Sequence, residues 1–483
     1  MRAWQQIGRN RRENLSGGFK KIVANFSYVV LSNLLTVIVS SLVVLILPKI
    51  MGVEEYGYWQ LYIFYLSYAG FVHLGWVDGI YLRYGGLEYA DLDKEKFFSQ
   101  FLMLLIYLTG IGILFLLGIS AFIRDESSQF VFTLLVYTTL VTNLRFLFVY
   151  VLQMTNRLKE SSYVVSGDRL LYLLLLLVFI FVGFRDFKIM VYADLIGRVV
   201  SLFYAMYLCR DMALRPLNQF KLDIKETVRN IAVGINLMLS NVASMLIIGT
   251  VRMGIQKVWN IATFGKVSLT LSISNLLMTF INAIGLVIFP ILKRTNESKL
   301  PKIYNQLRNV LMVLMFGVLL LYYPLKIALD SWLPAYRESL IFMALVFPMS
   351  VYEGKMALLI NTYLKALRME RQIFKVNVIA MLLSFATTLI FAVFLRNLNA
   401  TVLSIVLLLA TRSILAELIL AKRMQIEVVK DIWVELLMTL VFIASNWFLS
   451  VYLAAAAYGF VYLTYSIYKY QSLKGLLQQL RTR

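Results

Sequence analysis

The chain has 483 residues, of which 60% are hydrophobic and 15% are charged, whereas soluble domains are about 45–50% apolar and about 25% charged. This composition excludes a soluble globular protein. The single Cys209 excludes an intramolecular disulfide and the single His73 excludes a two-histidine metal site, so no metal or other cofactor is expected. A net charge of +21 fits basic residues gathered at the cytoplasmic ends of membrane helices, so it indicates no nucleic-acid partner.

Apolar runs of about 20 residues, long enough to cross a bilayer, recur along the whole sequence. They predict an all-α, polytopic membrane protein with fourteen transmembrane helices. The runs are centred on residues 25–47, 59–82, 98–120, 130–152, 165–184, 188–209, 230–251, 261–290, 304–325, 339–361, 374–395, 400–421, 433–449 and 451–469. The connections between them are short, so the protein is expected to act within the bilayer.

The basic residues predict the topology. The first 24 residues carry six of them and no signal-peptide cleavage site, which predicts a retained first helix. With the N-terminus in the cytoplasm, 32 of the 47 Lys and Arg residues fall in cytoplasmic segments and nine in outer loops. This asymmetry predicts that both termini are cytoplasmic. The six remaining cations fall inside predicted spans and are Arg145, Arg169, Arg198, Lys266, Lys355 and Arg412.

An internal repeat relates the two halves of the chain. At an offset of 208 residues, thirty residues from Ser32 align without a gap on those from Ser240, with six identities that include Gly57 and Gly265. The offset places predicted helix 1 on predicted helix 7, which indicates two pseudo-symmetric six-helix lobes and two further C-terminal helices. Four domains are predicted. Residues 1–209 form an N-terminal lobe with its cytoplasmic N-terminal segment, and residues 210–229 form a cytoplasmic linker. Residues 230–421 form a C-terminal lobe, and residues 422–483 contain helices 13 and 14 and a cytoplasmic tail.

Two motifs near the N-terminus carry a family resemblance. The segments GVEEYGYW from Gly52 and LGWVDGIYLRYGG from Leu74 resemble the N-terminal pattern of Wzx-type polysaccharide repeat-unit flippases. These flippases belong to the multidrug/oligosaccharidyl-lipid/polysaccharide exporter superfamily. One departure concerns Asp78, which follows the Leu-Gly pair here instead of preceding it, so no role is transferred to it by motif.

The resemblance implies a function and a setting. Two six-helix lobes would surround a central cavity that moves an undecaprenyl-diphosphate-linked oligosaccharide from the inner to the outer leaflet. The setting would be a bacterial cytoplasmic membrane, and the product would serve a surface polysaccharide such as O-antigen or capsule. Membrane lipids, a polymerase and other glycan-assembly proteins would be partners. Two homologous halves around a midplane site also favour alternating access.

The six intramembrane cations are the candidate diphosphate-binding residues. A cation in hydrocarbon is costly, so each should face protein or a watery cavity and have an anionic partner. In predicted helix 4, Thr138, Thr142 and Arg145 form one polar stripe that should point inward. Structural ion pairs are the competing interpretation. Nearby acids in the sequence are Asp168 for Arg169, Asp194 for Arg198, and Glu417 for Arg412.

Other polar and aromatic residues extend this candidate site. Glu353 and Lys355 diverge on a helix, so each should find a partner on another helix. Asp78, Asp194 and Glu353 are candidates for ion coupling, and their alternative role is to neutralise the cations. The candidate lumen-lining or sugar-contacting residues are Tyr62, Tyr65, His73, Trp76, Asn275 and Asn282. The alternative roles are an interfacial aromatic belt for the tyrosines and the tryptophan, a hydrogen bond within the protein for His73, and helix packing for the two asparagines.

Two other classes of protein compete with the flippase. A multidrug exporter of the same superfamily would share the helix count and the repeat, but six intramembrane cations would repel cationic drugs. A membrane glycosyltransferase or polymerase is disfavoured, because the acidic triplet Asp91–Asp93 lies in a short charged loop without a nucleotide-binding domain. No P-loop, HExxH, GxSxG or Rossmann motif occurs, so the chain is not expected to be an enzyme.

Overall fold

The computed structural model describes residues 27–28, 30–293 and 299–481, without the side chains of 277, 279–293 and 470–481. Most of these residues are helical, and none of them forms a strand. The helices of the first half are α1 Val30–Ile50, α2 Val53–Leu66, α3 Trp76–Tyr84, α4 Lys94–Phe122, α5 Glu126–Met154, α6 Leu158–Val182, α7 Phe187–Leu208 and α8 Arg210–Ala213. Those that follow are α9 Ile224–Val258, α10 Ile261–Lys293, α11 Leu300–Val318, α12 Tyr322–Trp332, α13 Ile341–Val346, α14 Met349–Lys355, α15 Asn361–Ala366, α16 Glu370–Thr388, α17 Leu398–Met424, α18 Val429–Phe448 and α19 Val451–Arg481.

Twelve helices of the described part are long and apolar enough to cross a membrane. Two of these spans join consecutive helices, over Leu300–Trp332 and Pro334–Ala366. The predicted all-α, polytopic membrane protein is therefore confirmed. Of the fourteen predicted spans, the two not among the twelve are 59–82 and 261–290. The second lies within α10, whose side chains are only partly described.

The other missing span, 59–82, is interrupted. After α2 the chain makes a short 3₁₀ turn at Ala69–Phe71, and Leu74 and Gly75 then take left-handed backbone angles of φ 53° and 77° before α3 begins. Two side chains donate hydrogen bonds to backbone carbonyls at the interruption. Asn143 Nδ2 donates to Ala69 O at 2.9 Å, and the Tyr107 hydroxyl donates to Val72 O at 3.0 Å. Apolar periodicity alone predicts a continuous helix here, because the break depends on these tertiary hydrogen bonds.

The described chain forms two compact units. Unit 1 contains the residues up to Val43 together with Leu61–Leu239, and unit 2 contains Val44–Gln60 together with the residues from Ser240 onward. In unit 1, α5 is the central helix and packs against α3, α4, α6 and α7. In unit 2, α17 packs against α13, α14 and α16. Buried aliphatic and aromatic side chains form a core in each unit, such as Leu147 and Phe148 in unit 1 and Ile360 and Leu420 in unit 2.

The first part of α9 belongs to unit 1, where it packs closely on α3. A Cβ at Gly79 would overlap the Asn230 carbonyl oxygen, so only glycine allows the two backbones to approach this closely. At the end of α3, Arg83 Nη1 donates to Glu226 Oε1 at 2.6 Å, and Lys96 Nζ lies 3.2 Å from Glu226 Oε2. Backbone packing and a charged network therefore hold these segments together.

Candidate functional site

Five charged residues of unit 1 form a buried group that we call cluster 1: Arg145, Asp168, Arg169, Asp194 and Arg198. Arg145 Nη1 donates to Asp168 Oδ2 at 2.7 Å. Arg198 forms a two-point pair with Asp194, with nitrogen–oxygen distances of 2.7 and 3.2 Å. The second pair is local, since both residues lie one turn apart on α7, whereas the first joins α5 to α6.

Hydroxyl groups form further hydrogen bonds with these two ion pairs. The Tyr62 hydroxyl donates to Asp194 Oδ2 at 2.8 Å and lies 3.1 Å from Thr138 Oγ1. Arg198 Nη1 donates to Thr142 Oγ1 at 3.3 Å, and Arg145 Nη1 lies 3.4 Å from Ser201 Oγ. The polar stripe predicted for the fourth helix is thus buried and inward-facing, which confirms that part of the sequence interpretation.

Cluster 1 carries one more cation than anion, because three guanidinium groups share two carboxylates. Arg145 and Arg198 are held by short hydrogen bonds and are almost fully buried. Arg169 differs from them. Its nitrogens lie 3.6 Å from Asp194 and 3.8 Å from Asp168, beyond hydrogen-bond range, and 26% of its side chain is exposed. Arg169 therefore has donors available for a further anion.

A second buried charge group, cluster 2, lies in unit 2 and consists of Arg308, Lys355, Glu417, Asp431 and Glu435. Arg308 donates from Nε to Glu417 at 2.7 Å, and its other nitrogens lie 2.7 Å from Asp431 and 2.6 Å from Glu435. Lys355 Nζ donates to Glu435 at 2.7 Å and also to Glu417. Lys469 continues the network from α19, with 2.7 Å to Asp431. Cluster 2 has two cations and three carboxylates, and Lys469 supplies the third positive charge that balances the network.

Arg308 is a buried cation that the sequence analysis missed. It was counted with a cytoplasmic connection because it lies near the start of the ninth apolar run, yet its side chain is only 1% exposed. The sequence contains a signal for a further buried cation. Glu417 and Glu435 lie inside predicted spans, and two buried carboxylates require more positive charge than Lys355 alone supplies. A carboxylate buried in a span indicates a cation on a neighbouring helix.

Arg412 is held in a separate site of unit 2. Its three nitrogens donate to Glu353 at 2.8 Å, to Asn377 at 2.9 Å and to Ser244 at 2.9 Å. The prediction that Glu353 and Lys355 have partners on other helices is confirmed. Glu417, the sequence neighbour suggested for Arg412, instead pairs with Arg308 and Lys355.

Among the six predicted cations, Lys266 has the positive charge that is least neutralised by nearby carboxylates. It is half-buried in α10, and no carboxylate among the described residues forms an ion pair with it. The structure therefore divides the six into three groups. Arg145, Arg169 and Arg198 come together in cluster 1, Lys355 belongs to cluster 2, and Arg412 and Lys266 lie elsewhere in unit 2.

The aromatic candidates make protein contacts. Tyr62 belongs to the surroundings of cluster 1, and half-buried Tyr65 packs edge-on against Phe132 with ring centroids 5.1 Å apart. His73 is buried and its Nδ1 accepts from the Gly75 backbone amide at 3.1 Å. Buried Trp76 donates from Nε1 to Gln100 at 2.8 Å.

The remaining candidates are placed as follows. Asp78 is half-buried, with Oδ2 3.9 Å from His73 Nε2. Asn275 is exposed, and the side chain of Asn282 lies outside the described residues. Within the described part of the chain, no group of three or more His, Cys, Asp or Glu side chains could hold a metal ion.

This fold is found in solved structures of membrane transporters. An inward-facing multidrug resistance transporter of the MATE family, in the MOP superfamily, matches with a TM-score of 0.59 at 13% identity, over 83% of this chain and 99% of that one. The lipid II flippase MurJ in an inward closed conformation matches with a TM-score of 0.57 at 14% identity, over 93% and 99%. No protein-family model and no curated protein matches the sequence. The chain is thus a multi-pass membrane protein with the fold of MOP-superfamily transporters.

Proposed function

We propose that the protein is a flippase that moves an undecaprenyl-diphosphate-linked oligosaccharide from the inner to the outer leaflet for surface polysaccharide synthesis. The observation that carries this proposal is the excess positive charge of cluster 1, with Arg169 half-exposed and outside hydrogen-bond range of both aspartates. A diphosphate supplies negative charge and several acceptor oxygens, which a planar guanidinium can bind at two points.

The arrangement of cluster 1 suggests how such a headgroup would be held. Arg145 and Arg198 are already paired with Asp168 and Asp194, so they fix the positions of the two carboxylates. Those carboxylates reduce the cost of burying the cations without cancelling the last positive charge. Arg169 is therefore the residue proposed to contact the diphosphate directly, and Arg145 and Arg198 position it. In this proposal the oligosaccharide and diphosphate cross through the protein by alternating access while the lipid tail stays in the bilayer.

The proposal is tested by transport in proteoliposomes with a chemically defined undecaprenyl-diphosphate-linked oligosaccharide. Arg169→Gln removes the available charge but keeps a shorter, polar side chain, and it should lower the flipping rate by about tenfold or more. Arg185→Gln is the matched control, because Arg185 is exposed between α6 and α7, and its rate should stay unchanged. Equal rates for Arg169→Gln and the native protein would remove Arg169 from the proposed site.

A multidrug exporter is the competing function, since a MATE-family transporter has the same fold. The excess charge in cluster 1 disfavours a cationic drug there. The same proteoliposomes distinguish the two functions when loaded with a cationic dye. Export of the dye without flipping of the lipid-linked oligosaccharide would replace the flippase proposal with the exporter.

A further inference from the structure

An apolar pocket lies beside the interruption between α2 and α3, wholly within unit 1. It has a volume of about 230 Å³ and is lined by side chains of α2, the interruption, α4 and α5, among them Tyr65, Val72, Leu108, Ile111, Val136 and Thr139. No charged side chain lines it. The Ala69 and Val72 carbonyls accept hydrogen bonds from Asn143 and Tyr107, so the backbone at the interruption is already satisfied.

The pocket and cluster 1 use different faces of α5. Thr138, Thr142 and Arg145 point toward cluster 1, whereas Val136 and Thr139 line the pocket. At 100° per residue the mean directions of these two sets lie about a third of a turn apart, and no residue of cluster 1 lines the pocket. A molecule in the pocket would therefore be separate from the charged residues of cluster 1.

The opening of the pocket is surrounded by surface that faces hydrocarbon. Phe115, at its edge, is 58% exposed, and Leu114 and Leu117 on the same helix are 68% and 62% exposed. All three lie inside the membrane-spanning helix α4, where the surrounding medium is the bilayer core. The first ligand to reach this opening is a lipid chain from the bilayer.

We infer that the pocket binds one acyl chain of a bilayer phospholipid. Its hydrocarbon lining without a charged group can bury methylene groups but offers no site for a headgroup. Its volume is below the usual range of about 300–1,000 Å³ for pockets that enclose a whole small molecule, which suits one segment of a chain. The bound chain would fill the space that the interrupted helix leaves open and so support the break between α2 and α3.

Photo-crosslinking tests this inference in proteoliposomes. The probe is phosphatidylethanolamine with a diazirine on one acyl chain, and the labelled peptides are located by mass spectrometry. Labels should concentrate on the pocket-lining parts of α4 and α5. Thr139→Phe fills the pocket and should lower this labelling about tenfold, since displacing about two buried methylene groups accounts for such a factor. Leu174→Phe is the control, because it adds a ring on the exposed face of α6 and does not line the pocket, and its labelling should be unchanged.

A second variant and a competitor make the outcome decisive. Ile111→Trp fills the pocket from α4 and replaces Thr139→Phe if that protein does not fold. Labelling spread evenly over the exposed face of α4, unaffected by the filling substitution, would overturn the inference. Loss of labelling when undecaprenyl phosphate is added would also overturn it, because the occupant would then be a polyprenyl chain. No lipid-linked oligosaccharide is present, so the result does not depend on the proposed flippase function.

Discussion

Gly57 and Gly265 bring two helix backbones of unit 2 into direct contact. A Cβ at Gly265 would lie 2.8 Å from the Gly57 Cα, and a Cβ at Gly57 would overlap the Ile261 carbonyl oxygen. The two glycines occupy matching positions of the 208-residue repeat. Small residues allow this close approach between membrane helices and improve their van der Waals packing. The matching glycines of the repeat therefore form one shared contact between α2 and α10.

Gly265→Ala should destabilise the protein, because the added methyl group meets backbone atoms that cannot rotate away. Overpacking of this kind costs about 1–3 kcal/mol. Thermal unfolding in detergent, followed by intrinsic fluorescence, measures the effect as a lower Tm. Gly110→Ala is the control, since a Cβ at Gly110 in α4 meets nothing within 4 Å. Equal melting temperatures for the two variants would show that the glycine contact tolerates a side chain.

Arg145→Ala should impair both stability and transport. It leaves Asp168 buried without its 2.7 Å hydrogen bond from Arg145, and removing one partner of a buried pair costs about 3–5 kcal/mol. Arg145→Lys keeps the charge but not the planar fork, so it should recover stability more than transport rate. The two variants are compared by Tm and by flipping of the lipid-linked oligosaccharide. Full transport in Arg145→Ala would exclude a positioning role.

Lys355→Met should be more damaging than its double variant with Glu435→Gln. In the single variant, Glu417 and Glu435 lose their shared lysine, and Arg308 is the cation that still pairs with both. The double variant removes one negative charge as well, so part of the loss should be regained. A double-mutant cycle on unfolding should give a coupling energy of about 0.5–3 kcal/mol. Additive effects would mean that the pair does not interact energetically.

The sequence predicted the helices well, but it predicted the partners of the charges only in part. Composition and run length are local, so α4, α5 and α17 could be placed directly. The Arg198–Asp194 pair was also accessible, because both residues lie one turn apart on one helix. The pairs Arg145–Asp168 and Lys355–Glu435 join different helices, and helix packing sets such contacts. A single sequence does not specify that packing.

Cysteine labelling tests the predicted topology. Glu54→Cys and Glu338→Cys should react with a membrane-impermeant maleimide added outside intact cells, and Lys221→Cys should not. All three positions are exposed, whereas Met51 is only 5% exposed and would label poorly. The native Cys209 is buried, and burial raises the pKa of its thiol to about 11, so it adds little background. Labelling of position 221 from outside would reverse the orientation.

Helix α9 is divided between the two units, and this division has a consequence for folding. Residues 230–239 follow the predicted linker in sequence, yet they belong to unit 1, as does Glu226 inside the linker, which pairs with Arg83. Conversely, Val44–Gln60 precede that linker and belong to unit 2. A polypeptide ended at residue 209 would lack the carboxylate for Arg83 and the glycine-packed partner of α3. The part of the chain before the linker and the part after it therefore each contribute a segment to the other unit, and the chain must be synthesised to residue 239 before unit 1 is complete.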